Sequence, residues 1–523
     1  MKFGILDMVA FIGYCCIVIG LGLWLSREKK GEKKNAKDYF LASKSLPWWA
    51  VGASLIASNI SAEQFIGMSG SGFAIGMGIA SYEFMAAVTL IIVAAFFLPI
   101  YLDRGIYTMP QFLEMRFDRR VKNVMAIFWL IVFIFVNLTS ILYMGALAVE
   151  NMMGVELIWG IVGLGLFALI YSVYGGLKAV AWTDVIQVVF LIGGGLVTTY
   201  IAFELLGDGS VSTGINELAT RAPEKFDMIL DKSDVNYKDL PGLGVLLGGL
   251  WVANLYYWGC NQYIIQRALA AKSTNQAQMG LVFAGLLKIL LPLIVVIPGI
   301  IAFVMVQDGT MVIEKADKAY PALLALIPSG LRGLAFAALV AAIVSSLASM
   351  MNSISSIFTM DIYCAYFDKD ASETKKVNVG RISSFVALFI ASCVAPVLTN
   401  LDQAFLYIQE FTGFVSPGAL AIFLAGFFYK RATSNGALAA ALGTFIFSLV
   451  FKLAFPEMPF MDRMGYVFLL CCAIIWVFAL IENKPVEQQK TKYTKGIFKT
   501  TPAFKVGSAV IILILIYIYY IWW

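Results

Sequence analysis

Ala57-Ser58-Asn59-Ile60-Ser61-Ala62-Glu63-Gln64 decides how this chain is read, because a polar cluster stands inside an apolar stretch long enough to cross a membrane. Apolar residues flank it from Trp48 to Ile56 and from Phe65 to Ile75. Polar side chains at membrane depth are costly to keep and mark binding sites or ion paths. A second apolar segment carries a similar interruption, Gly248-Gly249-Leu250-Trp251-Val252-Ala253-Asn254-Leu255-Tyr256-Tyr257-Trp258-Gly259. Two glycine-rich, polar-interrupted helices in corresponding positions of two halves point to a transporter with its site near the bilayer midplane.

Composition agrees. Of 523 residues, 60% are hydrophobic and only 14% charged, and apolar runs of roughly 18 or more residues read as membrane helices. No basic patch lies on a soluble domain, which excludes nucleic acid as a partner. The chain has no histidine, so the commonest metal ligand and proton shuttle is missing. The seven cysteines (Cys15, Cys16, Cys260, Cys364, Cys393, Cys471, Cys472) lie in or beside apolar runs without metal-ligand spacing and read as small buried residues. No nucleophile–base pair stands out, so an enzyme is not expected. The first apolar run is not a signal peptide, because its positive charges follow it and no small-residue cleavage site comes after.

Hydropathy places about fourteen helices near Ile5–Leu25, Pro47–Phe73, Gly76–Leu102, Lys122–Val149, Glu156–Tyr174, Val180–Leu206, Leu243–Ile265, Ala277–Val306, Leu331–Phe358, Ile382–Leu398, Gln403–Phe428, Ala437–Phe455, Tyr466–Ile481 and Val506–Trp523. This predicts an all-α integral membrane protein with five parts. Residues 1–46 form a leading helix and a basic loop, 47–206 a first set of five helices, and 207–242 an extracellular loop. Residues 243–430 form a second set of five, and 431–523 three peripheral helices. An odd number per set inverts the second half relative to the first. Basic residues gather in alternate loops: Arg27, Lys29, Lys30, Lys33, Lys34 and Lys37; Arg104, Arg116, Arg119, Arg120 and Lys122; Lys484, Lys490, Lys492, Lys495 and Lys499. The positive-inside rule makes these cytoplasmic and places both termini outside the cytoplasm.

Two constellations carry candidate chemistry. Unwinding around Ala57 to Ile60 would free main-chain carbonyls, and a sodium ion is a suitable partner for them. In the later helix, Ala342, Ser345, Ser346 and Ser349 share one face and offer oxygens of the kind hard cations take. The same spacing also serves a small-residue packing face with serines bonded back to their own helix. The second constellation is Gln64, Glu83, Asn254, Lys288 and Gln409. Its amides donate and accept as sugar hydroxyls do, and Glu83 and Lys288 add an acceptor and a donor. Lys288 is too deep to snorkel and needs a partner, which a plain Lys288–Glu83 pair would also supply. Tyr256, Tyr257 and Trp258 offer ring faces to a sugar, or simply pack. Asp184 reads as a helix N-cap, Arg267 as a headgroup-facing residue, and Glu63 as pointing away from Gln64.

Ser45-Leu46-Pro47-Trp48-Trp49-Ala50-Val51-Gly52-Ala53-Ser54-Leu55-Ile56, continuing through Ala62-Glu63-Gln64-Phe65-Ile66-Gly67, resembles the sodium:solute symporter family. So do Tyr174-Gly175-Gly176-Leu177, Trp182-Thr183-Asp184-Val185-Ile186-Gln187, Trp251 to Arg267 and Ser345 to Tyr363, and the resemblance is strongest to the sodium–glucose cotransporter branch. It implies a leucine-transporter-like five-plus-five inverted repeat that imports a hexose, galactose or glucose, with co-transported sodium by alternating access across a bacterial inner membrane. It implies sodium held by the carbonyls of Ala57, Ile60 and Ala342 and the hydroxyls of Ser345 and Ser346. Sugar contacts would be Gln64, Glu83, Asn254, Lys288 and Gln409. Tyr257 beside Trp258 would be an inner gate, and Met68, Tyr82 and Phe405 an outer one. Two departures stand out. A sugar-touching serine of galactose-transporting members is Ala86 here. A second sodium site seen in some relatives would use Asp184 and Ser349 but meets Ala348, which favours one sodium per sugar. Another polyol such as myo-inositol remains the alternative substrate. The lipid bilayer is the remaining partner.

Overall fold

The computed structural model describes residues 3–25, 44–400, 404–485 and 492–523, with some helical residues described by their backbone alone. The basic segment from Arg27 to Lys37, and Lys490, lie outside the described residues, as does the side chain of Phe405. Among the described residues there is no strand, only one isolated bridge between Leu46 and Ala271. Among the described residues nine helices are long and apolar enough to cross a membrane, and Ile5–Val18, Leu157–Ile170 and Ser416–Phe428 are shorter apolar ones. With the two broken helices, these occupy all the expected places.

The first broken helix runs Trp48–Asn59, opens at Ile60-Ser61-Ala62, and resumes as a wide-turned Glu63–Met68 and a regular Ser69–Ala74. Unwinding thus comes slightly later than expected, with Ala57 still helical. Ile60 adopts an extended conformation (φ −77°, ψ 108°). The Ser61 N–H turns to the Gln64 side chain (3.0 Å), which leaves the Ala57 carbonyl without its usual donor four residues on. The second broken helix runs Leu243–Leu247, Gly249–Gly259 and Gln262–Leu269. Its breaks fall at Gly248 and at Cys260-Asn261, so of the expected interruption from Gly248 to Gly259 only Gly248 is a break and Gly249–Gly259 is helical. Asn261 ends the unwinding by capping the next turn, its side chain accepting from the Tyr263 N–H at 3.1 Å. At Gly249 any Cβ would lie 1.8 Å from the Met461 carbonyl oxygen, so only glycine lets the two backbones meet.

The Thr274–Gln307 helix packs tightly along the first broken helix. A Cβ on Gly299 would sit 2.0 Å from the Ser69 carbonyl oxygen. Small residues make such close approach possible where lipid supplies no hydrophobic drive. The bridge at Leu46 ties the start of the first broken helix to the end of the second, with Leu46 N–H to Ala270 O at 3.1 Å and Lys272 N–H to Leu46 O at 3.0 Å. The beginning of one lies beside the finish of the other, as two inverted halves require.

The expected spans Glu156–Tyr174 and Val180–Leu206 are joined in one continuous helix, Leu157–Leu206. The five residues between the two apolar runs include no proline to stop the helix. The Ile5–Leu25 helix is held by Asp7, which is fully buried. Its carboxylate accepts from the Gly330 N–H at 2.7 Å and the Gly333 N–H at 3.0 Å, and pairs with Arg332. Outside the bundle, the 207–242 loop sits on the end of the first broken helix, where the Lys225 ammonium donates to the Ala74 carbonyl at 2.7 Å. Burial pulls Lys225 below the usual lysine range. The last helix, Pro502–Ile521, reaches the same loop, with the Met228 N–H donating to the Trp522 carbonyl at 2.9 Å.

Candidate functional site

A cavity of about 600 Å³, counting its open mouth, lies between the two broken helices and the Met77–Arg104 and Thr274–Gln307 spans. Gln64, Glu83, Asn254, Lys288 and Gln409 all line it, together with Tyr257, Trp258 and Tyr82. Met68 is fully buried nearby but does not reach it. Ala86 forms part of the wall.

Lys288, Glu83, Gln64 and Asn254 each have a defined partner. Lys288 and Glu83 are buried and form an ion pair. The Lys288 ammonium lies 5.2 Å from the Trp258 ring centre. Two charges this deep are tolerable only as a pair, because each alone would cost several kcal/mol (~3–5) to keep. Gln64 spends its carbonyl on Ser61 and keeps its Nε2 donor for the cavity. The Asn254 side chain donates to its own helix at Leu250 O (3.2 Å), leaving its carbonyl oxygen to accept. Glu63 also lines the cavity, contrary to the expectation that it points away. The cavity wraps round the start of a helix, where neighbouring residues both reach inward.

Asn59 and Tyr263 carry connections that the sequence reading did not find. The Asn59 Nδ2 donates to the Tyr257 hydroxyl at 3.0 Å. The Tyr263 hydroxyl donates to the Ser58 carbonyl. A polar residue before a helix break was the only signal for Asn59, and nothing marked Tyr263.

Two of the expected sodium ligands, the Ser346 hydroxyl and the Ile60 carbonyl, meet at the first break. The Ser346 hydroxyl donates to the Ser58 carbonyl at 2.9 Å and to the Ile60 carbonyl at 3.5 Å. Ala57, Ile60 and Ala342 are fully buried. The Ser345 hydroxyl donates to Asp184. Asp184 is therefore no N-cap. It lies inside the Leu157–Leu206 helix, fully buried, and accepts from Ser54 at 2.6 Å and Ser58 at 3.4 Å. Arg267 is equally buried and faces no headgroup. Its Nε lies 3.8 Å from the Asp184 carboxylate, and it donates to Ser349 and to the Tyr263 carbonyl (2.8 Å). Burying an arginine this deeply needs a counter-charge, and Asp184 supplies it. Hydroxyl and carbonyl oxygens at a helix break are ligands of the kind a sodium ion takes.

The sodium:solute symporter family model matches residues 39–443. The chain is 52% identical to the sodium/glucose cotransporter of Vibrio parahaemolyticus, covering 99% of this chain and 98% of that one. It is 34% identical to the sodium/myo-inositol cotransporter 2 of Mus musculus, over 85% of this chain and 69% of that protein. Among solved structures it resembles a substrate-bound, outward-open sodium-coupled sialic acid symporter, with a TM-score of 0.81 at 25% identity over 93% of this chain and all of that one. A nucleobase-cation symporter in a closed conformation shares the fold, with a TM-score of 0.55 at 13% identity over 91% of this chain and 99% of that one.

Proposed function

The chain belongs to the sodium:solute symporter family, and from that premise we propose that it imports a neutral hexose, galactose or glucose, together with sodium. Family membership makes it a multi-pass, sodium-coupled solute transporter of the leucine-transporter-like fold and not an enzyme.

The observation that carries the hexose reading is the cavity's chemistry. Its one lysine is already paired with Glu83, so no spare cation awaits a substrate carboxylate. What remains is amides, carboxylate oxygens and the Tyr257 and Trp258 rings, which match hydroxyls and a sugar's C–H face. The name of the Vibrio relative supports a hexose, and that of the mouse relative supports myo-inositol as the competing polyol. In this reading Gln64, Glu83, Asn254, Lys288 and Gln409 hold the sugar, with Tyr257 and Trp258 below it. The Ala57, Ile60 and Ala342 carbonyls hold sodium with Ser345 and Ser346, and Met68, Tyr82 and Phe405 close the outer side. Residues 47–206 and 243–430 act as the two inverted halves. The membrane is a bacterial inner membrane, with both termini outside the cytoplasm.

Sodium draws the first break toward Ser346 and favours the shape that binds sugar, and linkage makes sugar strengthen sodium in return. Radiolabelled galactose uptake into proteoliposomes tests this, with an inward sodium gradient against a potassium control. Concentrative uptake blocked by glucose but not by proline is expected. Uptake blocked by myo-inositol alone would move the assignment to that polyol, and no sugar binding to folded protein would end it.

A further inference from the structure

We propose that the Tyr263 hydroxyl is a positioning group for sodium: it pins the Ser58 carbonyl at the first helix break and so links sodium occupancy to the second broken helix. The inference rests on the sodium site being where the preceding reading puts it, around Ser346 and the carbonyls of the break.

Tyr263 is 3% exposed, and its hydroxyl donates to the Ser58 carbonyl oxygen. The Ser346 hydroxyl donates to that same oxygen at 2.9 Å. A carbonyl oxygen has two lone pairs, and both are engaged. Ser58 sits between Ala57 and Ile60, so its direction sets where their carbonyls point. Tyr263 is itself fixed from its own side: its N–H meets the Asn261 cap at 3.1 Å, and its carbonyl accepts from Arg267 at 2.8 Å. One residue on, Asn59 donates to the Tyr257 hydroxyl at 3.0 Å, and the Tyr257 and Tyr263 ring centres lie 6.4 Å apart. The two residues that lead into the first break, Ser58 and Asn59, are thus bonded to two tyrosines that straddle Cys260-Asn261. One of these, Tyr257, lines the solute cavity. A movement of the first break is passed to the second through these bonds.

Tyr263→Phe keeps the ring and its packing and removes only the hydrogen bond. The Ser58 carbonyl is then held by Ser346 alone, and sodium must order a looser backbone. The expected result is an increase of about three- to tenfold in the sodium concentration for half-maximal uptake, the worth of one buried hydrogen bond, with solute half-saturation at saturating sodium within about twofold of the parent. A merely structural role would move both together. Unchanged sodium half-saturation would overturn the proposal. Ser346→Ala, run in parallel, separates the layers. If it keeps the parent's sodium dependence, the site reading itself fails. If it loses that dependence while Tyr263→Phe does not, only the positioning role fails. Hydrogen exchange on the unmodified protein decides the matter independently of whether either variant folds. Sodium without solute should slow exchange across Gln262–Leu269 relative to potassium, and equal rates would refute the link.

Discussion

Glu83→Gln is the substitution whose cost can be worked most directly from the structure. Glu83 is 3% exposed and Lys288 1%, and they are paired with each other. Removing one member of a buried pair strands the other charge, which costs about 3–5 kcal/mol. Removing both, as in Glu83→Gln with Lys288→Met, strands nothing, and such exchanges are often neutral or stabilising. Each single variant should therefore unfold markedly earlier than the parent in detergent, while the double variant regains most of the loss. Solute binding behaves differently. In the double variant the Lys288 contact is gone and the Glu83 contact falls to that of a neutral amide, and a hydrogen bond to a charged group is worth about 1.5–3 kcal/mol, so binding falls roughly tenfold or more. Denaturation midpoints and a direct binding assay on the four proteins resolve the two effects. Single variants as stable as the parent, or a double variant no better than the worse single one, would refute the view that these charges are a self-contained pair. Full solute binding in the double variant would remove them from the site.

Arg267→Met leaves the Asp184 carboxylate buried without its cation and should destabilise by about 3–5 kcal/mol, read as a lower denaturation midpoint that Asp184→Asn added in the same chain partly restores. Ala86→Ser adds a hydroxyl to the cavity wall; if a sugar is the substrate, galactose half-saturation should fall by up to about tenfold, the worth of one hydrogen bond, in a competition uptake assay.

Much of this was legible in the chain because membrane burial punishes polar residues wherever they stand. Gln64, Asn254, Lys288 and Glu83 were conspicuous for that reason, and they share one cavity. The breaks were legible only in part. Polar and glycine residues marked the right helices, but the unwinding settled at Ile60-Ser61-Ala62 and at Cys260-Asn261, where side chains of Gln64 and Asn261 take over the freed N–H groups. Asp184 and Arg267 were misread because each was judged within its own segment. Only packing of the Leu157–Leu206 helix against the second broken helix brings them within ion-pair range, and no local spacing encodes that. Tyr263 was silent for the same reason, since a tyrosine in an apolar run reads as packing until its hydroxyl is seen to meet Ser58.

The two fully enclosed charge pairs have an electrical meaning. Lys288 moves with Glu83, and Arg267 with Asp184, so neither pair carries net charge when the carrier changes its facing. A transmembrane voltage does about 2.3 kcal/mol of work per 100 mV on each elementary charge that crosses it, and none on a neutral couple. A cell's resting potential therefore does no work on either couple as the carrier turns, and neither adds a voltage-dependent step of its own.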